Sequence, residues 1–340
     1  MTSFWNTLPK PFFALAPLED VTDAAFRRLI AKYGKPDSTR RDLSWRGGPD
    51  VMFTEFTSAD GLVLAPPAGQ KKLRKKLIYS ESERPIVVQL FTSVPERMKK
   101  AAHIAADLGF DGVDINMGCP VNEVVRQECG AALIKNPVLA RALIRAAKSS
   151  GLPVSVKTRI GYTKDELETW LPELLAEEPA AVTLHARTRK EMSEVPARWE
   201  RIKRAVEIRD EMKSSTLIVG NGDVRDIADA REKAKETSCD GVMLGRAIYG
   251  NPWLFLERSE SPSPTERMAA LTEHLLLFDE LLTGTASFAV MKKHFKAYIS
   301  GWPACAGRDG AKDLRIRLME TESVDEAKQI LENVIVKRAE

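Results

Sequence analysis

Cys119 stands in Asn116-Met117-Gly118-Cys119-Pro120, directly after a short β-branched run. A thiol held between glycine and proline at a strand end is exposed and fixed. It serves as nucleophile or general acid, provided its pKa suits the step. Free cysteine is more often buried packing, but the strand end and the neighbouring asparagine favour chemistry here. Cys129 lies ten residues on, among Gly130, Ala131 and Ala132. Its small neighbours point to close packing, so it is read as structural. Cys239 and Cys305 give no functional signal. The four cysteines form no Cys-x-x-Cys pair, which suits a reducing cytosol and argues against a structural zinc site.

Other polar residues follow the same rule of position. Lys157 closes Val154-Ser155-Val156-Lys157, where an ammonium binds an anion or polarises a carbonyl. His185 ends the next run and is followed by Arg187 and Arg189. Two glycine-containing turns come later, Gly220-Asn221-Gly222-Asp223 and Gly245-Arg246, the second expected to open a helix. Backbone N–H groups in such turns hold phosphate. No Gly-x-x-x-x-Gly-Lys occurs, so a nucleoside-triphosphate loop is excluded, and no His/Asp/Glu cluster has metal-ligand spacing.

The elements that must position these residues are short apolar runs at 12–16, 51–54, 86–91, 113–116, 154–157, 181–184, 217–219 and 241–244. Helical patterns at 22–33, 95–108, 137–149, 164–177, 201–213 and 225–237 separate them, with Ser93 and Asn136 as N-caps ahead of prolines. The runs are apolar at successive positions, as in strands covered on both faces. Eight such units in about 250 residues match a (β/α)₈ TIM barrel. An open doubly wound sheet is the competitor, but no Gly-x-Gly-x-x-Gly follows the first strand, and polar residues close nearly every run rather than one switch point.

Residues 1–258 are therefore read as the barrel. A polar, proline-containing linker spans 259–265, and 265–340 form a small all-helical domain. In it Met268, Leu271, Leu275, Phe278 and Leu282 recur at helical steps, as do Phe288, Met291, Phe295 and Ile299 on a helix over 286–300. A last helix covers 324–338. Residues 37–49, rich in Arg, Ser and Gly, read as an inserted loop. The whole chain of 340 residues carries 51 basic and 48 acidic side chains, a net +3 that announces no polyanion. Between 286 and 318, however, seven Lys or Arg (Lys292, Lys293, Lys296, Arg308, Lys312, Arg315, Arg317) face two Asp. A local excess of that size binds polyanions. No apolar stretch is long enough to span a membrane and no signal peptide is evident, so a cytoplasmic protein without membrane or metal is expected.

Taken together, these motifs resemble the tRNA-dihydrouridine synthases. The resemblance runs through Ala16-Pro17-Leu18 with Val21-Thr22-Asp23, Thr54-Glu55-Phe56, Gln89, Asn116–Pro120, Cys129–Leu133 and Lys157-Thr158-Arg159. It continues through His185 with Arg187-Thr188-Arg189, Gly220–Asp223, Asp240–Arg246 and Gly250-Asn251-Pro252-Trp253, and ends in Lys293–Lys296, Tyr298 and Leu314-Arg315. It implies FMN as cofactor and NADPH as electron donor, with a uridine of tRNA reduced to 5,6-dihydrouridine. Pro17, Leu18, Glu19, Gln89, Lys157, His185, Asn221, Gly222, Asp223, Gly245 and Arg246 would contact FMN, and Cys119 would donate the proton. Asn116, Arg187 and Arg189 are expected at the substrate. Lys292, Lys293, Lys296 and Arg315 are expected on the tRNA backbone, the protein acting as a monomer. Leu18 and Glu19 stand where methionine and a small residue are common in that family, and Ala186 replaces a frequent glycine.

Two other readings compete. An FMN barrel acting on a free small molecule, similar to dihydroorotate dehydrogenase, would share the phosphate turns and the cysteine but not need a basic helical domain. An RNA-binding protein on an inactive barrel would not retain Cys119, Lys157 and His185.

Overall fold

The computed structural model describes residues 3–34, 48–256, 258, 260–299 and 310–339. Most of the 37–49 segment, Cys305 and Arg308 lie outside them. Nine strands follow one another: β1 (Phe12–Leu15), β2 (Met52–Phe53), β3 (Thr57–Ser58), β4 (Ile86–Phe91), β5 (Gly112–Met117), β6 (Val154–Arg159), β7 (Ala181–His185), β8 (Leu217–Asn221) and β9 (Gly241–Leu244). All pair in parallel, in the order β1-β9-β8-β7-β6-β5-β4-β2, and β3 adds to β4. An Ala14–Val51 bridge joins the two ends, with the Leu15 amide donating to Val51 O at 3.0 Å. The sheet is thus a ring, and the open-sheet alternative falls. The second strand of the barrel is split into β2 and β3, both against β4.

One end of this ring is apolar. Trp5, from a short turn before β1, packs edge-on to Phe12 and tilted against Phe53. Val87, Ala181 and Leu217, at or near the N-terminal ends of their strands, belong to that buried cluster, which continues inward through Ala14, Val51, Val219 and Met243 to Ala16. Chemistry is therefore left to the opposite, C-terminal end.

Around the ring run α1 (Ala24–Gly34), α2 (Ala59–Leu64), α3 (Pro67–Lys76), α4 (Pro95–Asp107), α5 (Asn122–Val125), α6 (Pro137–Lys148), α7 (Leu167–Leu175), α8 (Trp199–Glu211) and α9 (Ile227–Thr237). Asn136 caps α6 as expected, its side chain accepting from the Leu139 amide. Ser93 does not cap α4. Val94 occupies that place and offers no oxygen, so only Pro95 marks the start. Gly245-Arg246 opens a three-residue 3-10 turn, Arg246–Ile248, rather than a helix.

Four more helices follow: α10 (Pro264–Leu282), α11 (Ala289–Ile299), α12 (Gly310–Glu320) and α13 (Val324–Ala339). Ser263 and Glu266 form a capping box at the start of α10. Among the described residues no helix is long and apolar enough to cross a membrane. Two compact units emerge: residues 1–18, 49–77 and 83–246, and residues 19–48, 78–82 and 247–340. The helical unit thus takes α1 and residues 247–258 from the range expected to be barrel.

In that second unit Phe26 stacks on His274 at 4.9 Å, and His274 meets His294 edge-on at 4.5 Å. Both imidazoles are buried with no hydrogen-bond partner. Burial drives His274 well below its usual pKa and His294 down to about 3. An unfolded chain protonates both near pH 6.5 while the folded unit resists, so stability falls as pH drops through 6.5. Asp23, pushed up to about 6 by burial, works the other way below pH 6, but with one proton against two. The helical unit should therefore lose thermal stability between pH 7.5 and 5, measured by circular dichroism. His294→Phe should reduce that slope, and an unchanged slope would refute the assignment.

Candidate active site

Strand register places the polar residues of the first unit side by side. Gln89 pairs with Asp114, and Asp114 with Ser155. The Asp114 carboxylate accepts from Gln89 Nε2 at 2.7 Å and from Ser155 Oγ at 2.6 Å. Gln89 Oε1 accepts from Asn116 Nδ2 at 2.9 Å. Asn116 Oδ1 then accepts from the amides of Cys119 at 2.9 Å and Gly118 at 3.1 Å. Each amide is thereby held in one orientation, because a carboxylate only accepts. The series runs from a buried carboxylate to the turn that carries Cys119. Burial raises Asp114 to about 6, against the hydrogen bonds and Lys157 that oppose the rise.

Cys119 is half-buried and in no disulfide. Its carbonyl accepts from the Ala131 amide at 3.0 Å. Gly130 lies directly beneath with φ +59, and a Cβ there would come within 2.8 Å of that carbonyl and 3.1 Å of the Cys119 Cβ. A side chain at 130 would displace the thiol. Cys129 differs on every count: it is buried, it points at Gln127 O, and burial pushes its thiol up to about 11. Arg159 secures the same turn from the other side, Nε donating to Gly118 O at 2.9 Å and Nη1 to Met192 O.

Lys157 lies beside Asn116 in register, its Nζ donating to Asn221 Oδ1 at 3.2 Å. Burial and the neighbouring Arg159 bring it down to about 8. Asn221 Nδ2 in turn donates to Met243 O. His185 pairs with both Arg159 and Asn221 across the strands. Burial, then Arg159, Lys157, Arg187 and Arg246, keep it uncharged at neutral pH. Arg187 Nη1 approaches His185 Nε2 at 3.1 Å. A guanidinium only donates, so Nε2 accepts and the proton sits on Nδ1. Gly222, at φ +125, lets the β8 turn pass the His185 ring, where a Cβ would stand 3.1 Å from Cδ2.

The two arginines after β7 part company. Arg189 is half-buried and donates to Asn122 Oδ1 at 2.7 Å. Arg187, expected at the substrate, is 2% exposed and ion-paired to Asp223. It positions the turn instead, because its guanidinium is already committed to Asp223, His185 and Val195 O. Asp223 also holds Arg246 at 2.7 Å. Against the effect of its own burial, the Ala197 amide and these two guanidiniums keep it below the usual carboxylate range. Arg246 remains 63% exposed and able to turn to an anion. Ala16 and Leu18 flank Gly245, and Pro17 between them is buried. Glu19 falls in the second unit, so only Pro17 and Leu18 of that trio belong to the barrel unit.

The structure adds Asp114, Ser155 and Arg159 to the residues expected from sequence. In the second unit Met291, Phe295 and Ile299 are buried and Phe288 half-buried, as their spacing requires. Lys296 and Arg315 are exposed and Lys292 half-exposed, while Lys293 pairs with Asp20 at 2.8 Å.

The family model for dihydrouridine synthase matches residues 14–340. The chain belongs to the dihydrouridine synthase family. It is 40% identical over 333 residues to probable tRNA-dihydrouridine synthase 2 of Bacillus subtilis strain 168, covering 97% of this chain and 96% of that one. It is 39% identical over 332 residues to probable tRNA-dihydrouridine synthase of Staphylococcus epidermidis strain RP62A, covering 97% and 95%. Among solved structures, histamine dehydrogenase from Rhizobium sp. 4-9 aligns over 78% of this chain at TM-score 0.50 and 14% identity. A 2-naphthoyl-CoA reductase complex aligns over 71% at TM-score 0.53 and 10% identity. The chain spans about half of each of those two, 48% and 49% respectively, and the likeness is one of fold.

Proposed function

We propose that the protein is a tRNA-dihydrouridine synthase that reduces a uridine of tRNA to 5,6-dihydrouridine, with FMN as cofactor and NADPH as electron donor. The observation that carries this reading is the Cys119 turn, held by Asn116 next to four cations grouped around one uncharged imidazole. Membership of the family supports it.

The residues present fit FMN. Burial first, then the charges of Arg159, Lys157, Arg187 and Arg246, lower the pKa of His185, and of these four cations only Arg187 and Arg246 share a carboxylate, Asp223, so the group keeps charge for a phosphate. Gly222 has no side chain in the turn after β8, and Arg246 is exposed to meet an anion. Pro17, Leu18, Gln89, Lys157, His185, Asn221, Gly222, Gly245 and Arg246 would hold it, with Asp223 orienting Arg246. When bound, the flavin supplies the hydride that adds to carbon 6 of the uracil.

The chain itself does the rest. Cys119 delivers a proton to carbon 5, and Asn116 and Arg159 keep its turn in place. Lys157 anchors negative charge, and neutral His185 offers Nδ1–H as a donor. The target base must leave its stack to reach the mouth. Arg189, Lys292, Lys293, Lys296 and Arg315 would grip the phosphate backbone, and the protein would act as a cytoplasmic monomer.

Mass spectrometry of dihydrouridine in tRNA treated with the protein and NADPH tests the reading. Turnover of dihydroorotate without effect on tRNA would favour the small-molecule alternative. Arg246→Ala should weaken FMN binding by about one to two orders of magnitude, since a charge-assisted contact is worth ~1.5–3 kcal/mol. Fluorescence titration of the flavin checks this, and unchanged affinity would move the phosphate elsewhere.

A further inference from the structure

Outside the site, α3 is the segment whose chemistry the barrel does not use. Its sequence, Pro-Ala-Gly-Gln-Lys-Lys-Leu-Arg-Lys-Lys, holds five cations and no acid, and not one of its residues is buried. Leu73 lies against Gly61 of α2, and Gln70 Nε2 reaches Val63 O of the same helix at 3.5 Å. Lys71, Lys72 and Arg74 are exposed and Lys75 half-exposed. No ion pair engages these four among the described residues.

The arginines of α6 and α8 differ. On α8, Arg201 and Arg204 are tied to Asp165, Glu168, Glu207 and Glu211, and Arg209 to Asp210 and Asp240. On α6, Arg141 and Arg145 meet Glu177. In α3, by contrast, Lys71 faces Arg74 and Lys75 at three and four residues, and Lys72 faces Lys75. Like charges at those spacings lie about 5–6 Å apart and destabilise a helix. Arg74, Lys75 and Lys76 also sit in the last turn, where the helix dipole favours them, but Lys71 and Lys72 lie further back. Among the described residues no carboxylate supplies a counter-charge to Lys71, Lys72, Arg74 or Lys75. A polyanion would, with neighbouring cations spaced to meet successive phosphates.

We infer that α3 is a contact surface for the phosphate backbone of tRNA, carried by the barrel unit itself through Lys71, Lys72, Arg74 and Lys75. The inference rests on the reading of tRNA as substrate and adds a face that the helical unit does not provide. Its contribution is independent of base sequence and releases counterions.

Binding of unfractionated tRNA to the holoprotein, measured by filter retention across a salt series, tests it. Lys71→Glu/Lys72→Glu/Arg74→Glu should weaken binding at least ~10-fold near physiological salt and lower the log–log salt slope by about two. Flavin content and NADPH-driven flavin reduction should stay normal. A matched triple change, Lys203→Glu/Lys213→Glu/Lys235→Glu, moves the net charge equally from exposed positions on α8, in the turn after it and on α9, and should cost much less. Wild-type affinity and slope in the α3 variant would overturn the inference and leave an acidic protein as the occupant of this face. Equal losses in both triple variants would overturn it too, reducing the effect to overall charge. Absence of dihydrouridine with wild-type protein would instead refute the proposed activity, while the binding comparison still judges α3.

Discussion

Cys119→Ala is expected to bind flavin and accept electrons from NADPH normally, yet to form dihydrouridine on the order of 10²–10⁴-fold more slowly, the usual cost of losing a general acid. The reason is local. Asn116 holds the turn through the backbone amides of residues 118 and 119, not through the thiol. The Ala131 amide grips the Cys119 carbonyl and Gly130 leaves room beneath it. Alanine keeps all of these backbone contacts and removes the proton donor. Cys129→Ala should stay within a few-fold of wild type, because that thiol is buried against Gln127 O and pushed up to about 11. Anaerobic stopped-flow absorbance separates flavin reduction from its reoxidation by tRNA. If Cys129→Ala were the slow variant in reoxidation, the assignment between the two cysteines would be reversed.

What the sequence made legible follows from how barrels are built. Strands covered on both faces leave continuous apolar runs, and each run expected from sequence overlaps a strand. The second run overlaps β2 but gave no hint of β3, because Thr54-Glu55-Phe56 interrupts the apolar signal there. Helix α3 escaped notice for the opposite reason: a solvated helix with one anchoring leucine carries no periodicity. Arg187 was misplaced because its partner Asp223 lies 36 residues away, and only register across β7 and β8 brings them together. Asp114 was hidden inside an apolar run, where a single carboxylate reads as an interruption. The grouping of α1 with the C-terminal helices was equally invisible, since chain order assigns it to the barrel.

Two isosteric changes separate hydrogen-bond polarity from charge along the series that ends at Cys119. Asn116→Asp should lower the rate of uridine reduction ~10²-fold, the scale of a misplacement of about 1 Å. An aspartate there still accepts from the amides of residues 118 and 119, but its other oxygen faces Gln89 Oε1, and two acceptors at 2.9 Å repel. Gln89 cannot answer by turning over, because its Nε2 is committed to Asp114. Asp114→Asn is a different case. Its oxygen can accept from Gln89 while its amide donates to Ser155 Oγ, a hydroxyl that accepts as readily as it donates. The order of donors from Gln89 to Cys119 is kept and only the Ser155 bond reverses, so the loss should be a few-fold. The loss in Asn116→Asp should fall on the maximal rate with NADPH-driven flavin reduction unchanged, and circular dichroism should show both variants folded. Should Asp114→Asn prove as damaging as Asn116→Asp, the charge of Asp114 on Lys157 would be the controlling feature and the hydrogen-bond account would fail.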